Sequence, residues 1–411
     1  MLFSEFVEIN PRVPIERDGV YPCVMMDEVK PGRKSVSGKI SKTFRGGAKF
    51  AKNDTLFARI TPCLENGKIA KYTGQNGKYG FGSTEFFVFR EKENVSDSDY
   101  LFYFSLSDII RKPAEASMFG ASGRQRADLD VVKNIEFDFP PLPIQRKIAG
   151  VLSTYDDLIE NNTRRIAILE EMAQRIYKEW FVDFKYPGHE NDKMVDSELG
   201  MIPEEWEVAS LDHICERITD GAHRSPESTD YGYPMASVKD MHPWGINIET
   251  CRKISEHDFR QLQDSDCIMV KNDVLIAKDG SYLKHCFVVE EDMDIALLSS
   301  IAILRPNKKI NPHILALTMK QPEIKARMAG YVSGAALPRI ILKDFKKFKI
   351  KLPKKEIQVS WENCVGPIIK SCYRIIDINT NLRQTRDLLL PKLISGKVDV
   401  SELDIDVVAE A

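Results

Sequence analysis

Apolar residues recur along two stretches of the chain at alternating four- and three-residue steps, the spacing that lines one side of a coiled-coil helix. The first stretch follows Pro143, a residue that suits the first turn of a helix, and contains no Pro or Gly beyond Gly150. Its positions on this side are Leu152, Tyr155, Ile159, Asn162, Ile166, Leu169, Ala173, Ile176 and Trp180. The pattern predicts a long spacer helix within residues 141–184, whose apolar side needs a helical partner.

The same spacing near the end of the chain provides that partner. Its positions are Trp361, Val365, Ile368, Cys372, Ile375, Asn379, Leu382, Leu389 and Leu393, with Arg386 as a further polar break. Either helix alone could belong to an ordinary globular core, but two matched helices favour an antiparallel intramolecular pair. A single Asn in each stripe would lower stability while fixing the register. We expect a kink or a late start near Pro367 and an end near Pro391.

Each predicted helix follows a segment that is typical of a folded domain. Residues 1–140 contain short runs rich in β-branched and aromatic residues between Gly- and Asn-rich turns, and residues 200–352 form a second such segment. The remaining predictions are a polar linker at 185–199, a C-terminal spacer helix at 353–396 and an acidic tail at 397–411. The predicted fold class is α+β, with two similar mixed α/β domains separated by two long antiparallel coiled-coil helices.

The two halves of the chain align with each other. The matched segments are Asn53–Arg59 with Asn272–Lys278, Leu129–Pro140 with Leu342–Pro353, and Ile144-Gln145 with Ile357-Gln358. Their common order predicts a duplicated unit with internal pseudo-two-fold symmetry. An antiparallel helix pair would then place the two domains at opposite ends, facing one elongated ligand.

Composition narrows the class of protein. With 43% hydrophobic and 29% charged residues among 411, the chain is an ordinary folded protein of two or three domains. The net charge of −3 means that nucleic-acid binding would have to come from local basic patches. The eight cysteines form no CxxC pair, the N-terminus lacks a signal-peptide pattern, and no apolar run approaches the roughly 20 residues that span a bilayer. These features predict a cytoplasmic protein.

Motifs for catalysis are missing from the sequence. It contains no GxxxxGK phosphate loop, no HExxH and no Asn/Asp-Pro-Pro-Tyr motif of amino-methyltransferases. His213 with Cys215, and His285 with Cys286, each lack a second nearby pair at metal-ligand spacing. We therefore predict no catalytic residue, no metal site and no cofactor in this chain.

Basic and hydrogen-bonding residues form three candidate DNA-binding sites. The first is the stretch 30–49, where Gly and Ser separate seven cations with no acidic residue: Lys30, Arg33, Lys34, Lys39, Lys42, Arg45 and Lys49. A solvated loop would have the same composition, but these cations could also neutralise phosphates while the small residues allow close approach. The second site is a basic run in the second copy that includes Arg339 and Lys343, and it could instead be the wet face of a strand.

The third candidate site is a turn that both copies share, at 122–126 and at 334–339. In the first copy it carries Arg124, Gln125 and Arg126, and such side chains can read guanine and adenine edges through paired hydrogen bonds. Lesser candidates, more often structural, are Arg59, His242, Trp244, Lys278 and Ser281. The long helix and the tail are acidic on balance, so we expect the helices to face protein.

Taken together, these features resemble the DNA-specificity subunits of type I restriction-modification enzymes. The resemblance rests on the duplication and on four segments: Pro140–Gln145 before the first helix, Trp180–Phe184 after it, Ile202–Trp206 opening the second copy, and Leu388–Gly396 near the end. It implies that each domain is a target-recognition domain reading one half of a split, asymmetric DNA site. It also implies that the helices act as a ruler and as docking surfaces.

The resemblance implies partners as well. Two modification subunits would carry S-adenosylmethionine and methylate adenine at N6, and two restriction subunits would add translocation and cleavage with ATP and Mg, so this chain would not be an enzyme. We expect each domain to dock in a major groove, with half-sites between one and two duplex turns apart at roughly 34–36 Å per turn.

Two other hypotheses predict different behaviour. A tandem protein-binding adaptor built on the coiled coil would be unaffected by substitution of Lys34, Arg45 and Arg126. A fused methyltransferase-nuclease would need the catalytic motifs that the sequence lacks, and it would bind S-adenosylmethionine by itself.

Overall fold

The computed structural model describes residues 1–121, 123–279, 283–333 and 339–403. These residues form two compact units. The first unit comprises residues 1–165 together with the chain from 375 onwards, and the second comprises 166–374. Each unit therefore contains one segment of each long helix.

The first unit combines two mainly antiparallel sheets with short helices. Its strands are β1 (Val7–Ile9), β2 (Val20–Val24), β3 (Ser35–Val36), β4 (Ile40–Thr43), β5 (Ala48–Ala51), β6 (Thr55–Ala58), β7 (Ile69–Tyr72), β8 (Tyr79–Gly82) and β9 (Phe86–Glu91). Its short helices are α1 (Phe3–Phe6), α2 (Ser98–Leu106), α3 (Asp108–Ala116) and α4 (Leu129–Lys133). One sheet has the order β1-β9-β6-β7-β3, and the other has the order β4-β2-β8-β5. The pairs β3 with β7 and β2 with β8 are parallel.

The central strand β6 separates two hydrophobic cores. All four of its residues are buried, which is expected for a strand covered on both faces. Phe57 faces a core of aromatic side chains from α1 and α2, whereas Leu56 and Ala58 face a second core with Phe50 and Tyr72. Because side chains alternate along a strand, one short apolar run supplies both cores.

The long helix α5 (Leu142–Phe181) leads into the second unit. The strands there are β10 (Met194–Val195), β11 (Ile202–Pro203), β12 (Glu207–Ser210), β13 (Cys215–Asp220), β14 (Tyr233–Ala236), β15 (Met241–His242), β16 (Gly245–Ile246), β17 (Arg252–Ile254), β18 (Val274–Ala277), β19 (Cys286–Val288), β20 (Ala296–Leu297), β21 (Ile301–Pro306), β22 (Val332–Ser333), β23 (Arg339–Ile340) and β24 (Lys349–Leu352). The helices are α6 (Leu211–Ile214), α7 (Glu256–Asp264), α8 (Pro312–Lys320), α9 (Pro322–Ala329), α10 (Leu342–Lys347) and the long α11 (Lys355–Ile394), with 3-10 turns at His189–Asn191, Val238–Asp240 and Ile248–Thr250.

The sheets of the two units share their strand order. The order β13-β21-β18-β19 in the second unit repeats β1-β9-β6-β7 of the first, and β17-β14-β20 repeats β4-β2-β8. The strand β18 also lies between two cores, with Val274 and Ile276 facing one and Leu275 and Ala277 facing the other. The mixed α/β fold with long helices that the sequence predicted is thus observed in each unit.

A buried ion pair is duplicated in atomic detail. In the first unit Arg90 donates from Nε and Nη2 to the two carboxylate oxygens of Asp54, each over 2.7 Å. In the second unit Arg305 donates from the same two nitrogens to Asp273, over 2.8 and 3.0 Å. Each Asp also accepts a backbone N–H three residues earlier, which closes the turn before β6 or β18. Such paired Arg–carboxylate hydrogen bonds fix geometry as well as adding stability.

A glutamine near the start of each long helix ties that helix to its own domain. Gln145 donates from Nε2 to Pro140 O and Val95 O, and accepts from the backbone N–H of Asp97, all over 2.9 Å. Gln358 makes the equivalent bonds to three backbone groups over 2.8 to 2.9 Å: Pro353 O, Lys309 O and Asn311 N. Asp97 and Asn311 are the N-cap residues of α2 and α8, so the same contact links long helix and short helix in both units.

Within each unit the segments of α5 and α11 run antiparallel. In the first unit Asn162 Nδ2 donates to Asn379 Oδ1 over 2.9 Å, and Arg386 forms a buried ion pair with Asp156. In the second unit Phe181 packs against Trp361, with ring centroids 5.8 Å apart.

The structure places the residues predicted for the helix-pair interface at two levels of burial. Buried are Leu152, Ile159, Cys372, Ile375 and Asn379; half-buried are Tyr155, Asn162, Ile166, Leu169, Ile176, Ile368, Leu382 and Leu389. Asp156, Tyr177, Phe181 and Ile369 are also buried, although the sequence pattern did not mark them. They lie one position away from predicted ones, because the buried stripe is wider than a strict coiled-coil seam.

The expectation of a late start near Pro367 is wrong. The helix α11 is continuous from Lys355 to Ile394 and includes both Pro367 and Pro391. Before Pro367 the helix is fixed by Gln358 and by the fully buried side chains of Trp361 and Val365. A proline inside a helix costs about 3 kcal/mol, and burying two large apolar side chains offsets a cost of that size.

Candidate nucleic-acid interface

The basic stretch 30–49 surrounds an edge strand in the first unit. All four residues of β4 are exposed, and β4 lies at the edge of its sheet. The exposed cations of the stretch are Lys30, Arg33, Lys39, Lys42 and Arg45. Arg45 is 3.9 Å from the similarly exposed Asp18, a pair of little energetic weight. This edge therefore presents cations that could meet phosphate groups.

Two of the predicted cations in this stretch, Lys34 and Lys49, bind acceptors within the first unit. Lys34 Nζ lies 2.9 Å from Asp99 Oδ1 and donates to Ser153 Oγ over 2.9 Å. Burial acts to raise the pKa of Asp99, but Lys34 and Lys71 outweigh it and hold that pKa below its usual value. Lys49 donates to the carbonyl oxygen of Ile15 over 3.1 Å. Both lysines hold the stretch in place, and contact with DNA would need them to give up these partners.

The start of the same stretch is attached to α11. Arg386, which pairs with Asp156 in the interior, also donates from Nη1 to the carbonyl oxygen of Gly32 over 3.1 Å. Tyr103 donates its hydroxyl to the other oxygen of Asp156 over 2.6 Å. The buried charges of the helix pair thus fix the loop that leads to the exposed cations.

Arg59 and Arg126 share one carboxylate. Arg126 donates to both oxygens of Glu85, with Nη2 2.7 Å from Oε1 and Nε 2.9 Å from Oε2, and Arg59 Nε is 3.4 Å from Oε2. The hydrogen bond from Arg126 holds the pKa of Glu85 below its usual value, with a further contribution from Arg59. Of the two neighbouring residues, the side chain of Arg124 is exposed and that of Gln125 is half-buried.

In the second unit, the cation that aligns with Arg59 is also paired with a carboxylate. Lys278, the counterpart of Arg59, donates to Asp220 Oδ2 over 2.6 Å, and both side chains are buried. His223 lies on the other oxygen of that carboxylate at 3.2 Å. Ser281 lies outside the described residues. For Arg339 the structure describes the backbone, which pairs with Ser333.

His242 ends β15, and Trp244 lies in the turn to β16, which packs against the long helices of the second unit. The ring of Trp244 lies edge-on to Tyr373, with centroids 5.0 Å apart, beside a cavity of about 40 Å³. The backbone N–H of Trp244 points to Nδ1 of His242 at 3.3 Å. Burial and the nearby His285 lower the pKa of His242, so this imidazole is mostly neutral near pH 7. These residues fix the loop, as Lys34 does in the first unit.

Lys343 belongs to an exposed lysine cluster. Together with Lys346, Lys347 and Lys349 it lines an open groove of about 530 Å³. Lys349 pairs with Glu198 over 2.6 Å, while the other three have no ion-pair partner among the described residues. Asp212 also lines this groove, so four lysines face one carboxylate there.

The sequence-based candidates missed a matched pair of loops. The connection from β1 to β2 carries exposed Arg12 and Arg17, and the connection from β13 to β14 carries exposed His223, Arg224 and Tyr231. The two connections occupy the same place in the repeated sheets. Their sequences do not align, so only the strand order reveals their equivalence.

The exposed side chains of the described residues offer charged and hydrogen-bonding groups for recognition. No group of three or more His, Cys, Asp or Glu side chains within them could hold a metal ion. None of the helices in the described ranges is long and apolar enough to cross a membrane. What the surfaces provide are cations, amides and exposed rings on loops held by buried ion pairs.

Comparison with known proteins identifies the family. The family model described as type I restriction modification DNA specificity domain matches residues 9–171 and again 203–384. Since the two matches cover most of the chain, it belongs to this family of DNA-binding specificity subunits with two target-recognition domains. The double match confirms both the resemblance seen in the sequence and the predicted internal repeat.

Individual relatives agree with this assignment. The MjaIX specificity subunit of Methanocaldococcus jannaschii is 26% identical over 315 residues, which is 74% of this chain and 70% of the relative. The HindI specificity subunit of Haemophilus influenzae is 24% identical over 421 aligned residues, covering 87% of this chain and 89% of the relative. A crystal structure of a type I restriction-modification S subunit from M. genitalium has a TM-score of 0.54 at 16% identity, covering 96% of this chain and 95% of that one. This last likeness confirms the fold class.

Proposed function

We propose that this chain reads a bipartite, asymmetric DNA site, with one half-site for the domain at 1–140 and the other for the domain at 200–352. Loop residues of each domain contact base edges, and exposed cations contact phosphates. The cation sets are those at Lys30, Arg33, Lys39, Lys42 and Arg45 in the first domain and at Lys343, Lys346 and Lys347 in the second.

One observation supports this proposal: the two units repeat the same interior contacts, but they carry their exposed cations at different places. The pairs Asp54–Arg90 and Asp273–Arg305 use the same atoms in both units. The exposed cations proposed for phosphate contact lie in different places in the two units, on and around the edge strand β4 in the first and on α10 in the second. Two scaffolds with one architecture and two different surfaces suit two different half-sites.

We further propose that the chain catalyses nothing itself and assembles with two modification and two restriction subunits in the cytoplasm. The modification subunits would supply S-adenosylmethionine for methylation of adenine N6, and the restriction subunits would use ATP and Mg. Exposed apolar residues on the long helices support docking of protein there: Leu158, Ile168, Met172, Val359, Ile378 and Leu388.

The test is selection of bound duplexes from a random DNA pool by the chain purified with its modification subunit. We expect two short fixed blocks separated by an unspecified gap of fixed length. One continuous block would contradict one half-site per domain. No enrichment by an assembled complex would favour the adaptor hypothesis instead.

A further inference from the structure

A hairpin closed by Phe119 and Arg126 connects α3 to α4 in the first unit. Phe119 N donates to Arg126 O over 3.1 Å, and Arg126 N donates to Phe119 O over 2.9 Å. Gly120 and Gly123 have φ angles of +128° and +78°, which residues with a side chain rarely adopt. The turn geometry therefore depends on these two glycines. Because glycine has no side chain, any side-chain contact to a ligand must come from the neighbouring residues.

The second strand of the hairpin is anchored at two points, by Thr61 after β6 and by Glu85 before β9. Gln125 N donates to Thr61 Oγ1 over 2.8 Å, and Thr61 N donates to Gln125 O over 2.9 Å. On the other side the guanidinium of Arg126 is held by both oxygens of Glu85. Residues far away in the sequence thus set the orientation of the hairpin, and its fixed geometry reduces the entropy lost on binding.

Two large exposed side chains of the hairpin, those of Arg124 and Phe119, take no part in this anchoring. Arg124 is exposed, and in the described part of the chain its side chain has no hydrogen-bond or ion-pair partner. Phe119 is 64% exposed, although a large ring is normally buried. A free guanidinium can donate two hydrogen bonds to guanine O6 and N7, and a Phe ring can pack on the methyl group of thymine.

The second unit has an equivalent pair of strands, and the sequence between them differs from that of the first unit. Its strands are Val332–Ser333 and Arg339–Ile340, and they pair as 119 and 126 do. The intervening sequence is GASGRQ at 120–125 but GAALP at 334–338. A surface that docks two copies of one partner protein would need the same residues in both hairpins. Two domains that read different half-sites must differ in their base contacts, so the unlike sequences favour DNA bases as the ligand.

We propose that Arg124 and Phe119 are specificity-determining contacts to base edges in the half-site of the first domain. Arg126, Glu85 and Arg59 are positioning residues that hold the hairpin at the required angle. This assignment rests on the proposed function and adds to it the residues that read one block of the site.

The test repeats the DNA selection with the chain assembled with its modification subunit and carrying single substitutions. Arg124→Lys keeps the charge but loses the paired donors, so discrimination at one guanine position of one block should fall about 5- to 150-fold, with the salt dependence of affinity unchanged. Phe119→Ala should remove a thymine preference in the same block. The other block should stay intact, and Lys112→Gln, which removes an exposed cation on α3, should change neither block.

The positioning role of Glu85 is tested by a separate measurement, base discrimination at two positions of one block. Glu85→Ala should weaken discrimination at the guanine and thymine positions together, whereas Glu85→Asp should restore part of it. A loss that affects both blocks equally would mean that Glu85 acts only on folding, and this part of the inference would be wrong.

Three outcomes would overturn the assignment of Arg124 and Phe119. They are a wild-type selection profile in all hairpin variants, an equal loss of affinity for every sequence with a shallower salt dependence, and a loss of assembly with the modification subunit. The second would indicate a phosphate contact and the third a protein contact. Failure of the unchanged chain to select two blocks would instead count against the proposed function itself.

Discussion

Asn162 donates from Nδ2 to Oδ1 of Asn379 over 2.9 Å, between two helices whose facing sides are mainly apolar. Asn379 is buried and Asn162 is half-buried, so this hydrogen bond pairs the two amides where water has limited access. Such a pair contributes little net stability, but it penalises any shift of one helix along the other, which would leave both amides unpaired.

Removing one amide should therefore cost more than removing both. Asn379→Leu leaves Asn162 without its partner, and we expect the free energy of unfolding to fall by about 1 kcal/mol. The double variant Asn162→Leu/Asn379→Leu should recover this loss or exceed the wild type. Urea denaturation measures both values, with Asn381→Leu on the exposed side of α11 as the control. A double variant that is less stable than Asn379→Leu would contradict this account.

The buried pair of Arg386 and Asp156 should behave as a coupled unit. Arg386→Met leaves a carboxylate buried without a cation, and we expect a loss of about 3–5 kcal/mol. Asp156→Leu/Arg386→Met should lose less than Arg386→Met alone, even though Tyr103 then lacks its acceptor. A double-mutant cycle of unfolding free energies tests this coupling, and additive losses would show that the two side chains act independently.

Gln145 and Gln358 should contribute similar amounts to the free energy of unfolding, because they make equivalent hydrogen bonds in their own units. Each Gln→Ala substitution leaves a buried N-cap N–H and two carbonyl groups short of a partner, at a cost of about 1–3 kcal/mol. Hydrogen exchange should become faster at the start of α2 in Gln145→Ala and at the start of α8 in Gln358→Ala. Gln75→Ala, an exposed control, should change neither helix. Faster exchange at both helices in one variant would mean that the two anchors are not separate.

Low pH should break the ion pair between Arg126 and Glu85 that anchors the hairpin. Arg126 lowers the pKa of Glu85 in the folded protein below its ordinary value of 4.5, so the contribution of Glu85 to stability is present above pH 4.5 and is lost as pH falls through the folded pKa. The difference in unfolding free energy between wild type and Glu85→Gln should therefore shrink as pH falls below 4.5. Glu93→Gln, exposed on the same unit, serves as the matched control. A difference that stays constant from neutral to acidic pH would contradict the ion pair.

The long helices and the duplication were predictable because they depend on local periodicity and on repeated sequence. The partners of individual polar residues were not. Arg386 interrupts an apolar pattern in the sequence, yet its buried carboxylate partner, Asp156, lies in the other helix, one position outside the predicted stripe. Lys34 and Lys278 fitted a DNA-contact pattern, but Asp99 and Asp220 neutralise them in the folded units, and chain spacing gives no sign of these contacts.

The measurement that tests the central claim most directly is a map of N6-methyladenine in the DNA of a cell that expresses this chain with its modification subunit. One half-site per domain predicts methylated adenines within a single motif of two short blocks and a fixed unspecified gap, and exchange of residues 1–140 for those of a relative should change one block only. Methylation at a continuous motif, or a change in both blocks after the exchange, would contradict the account.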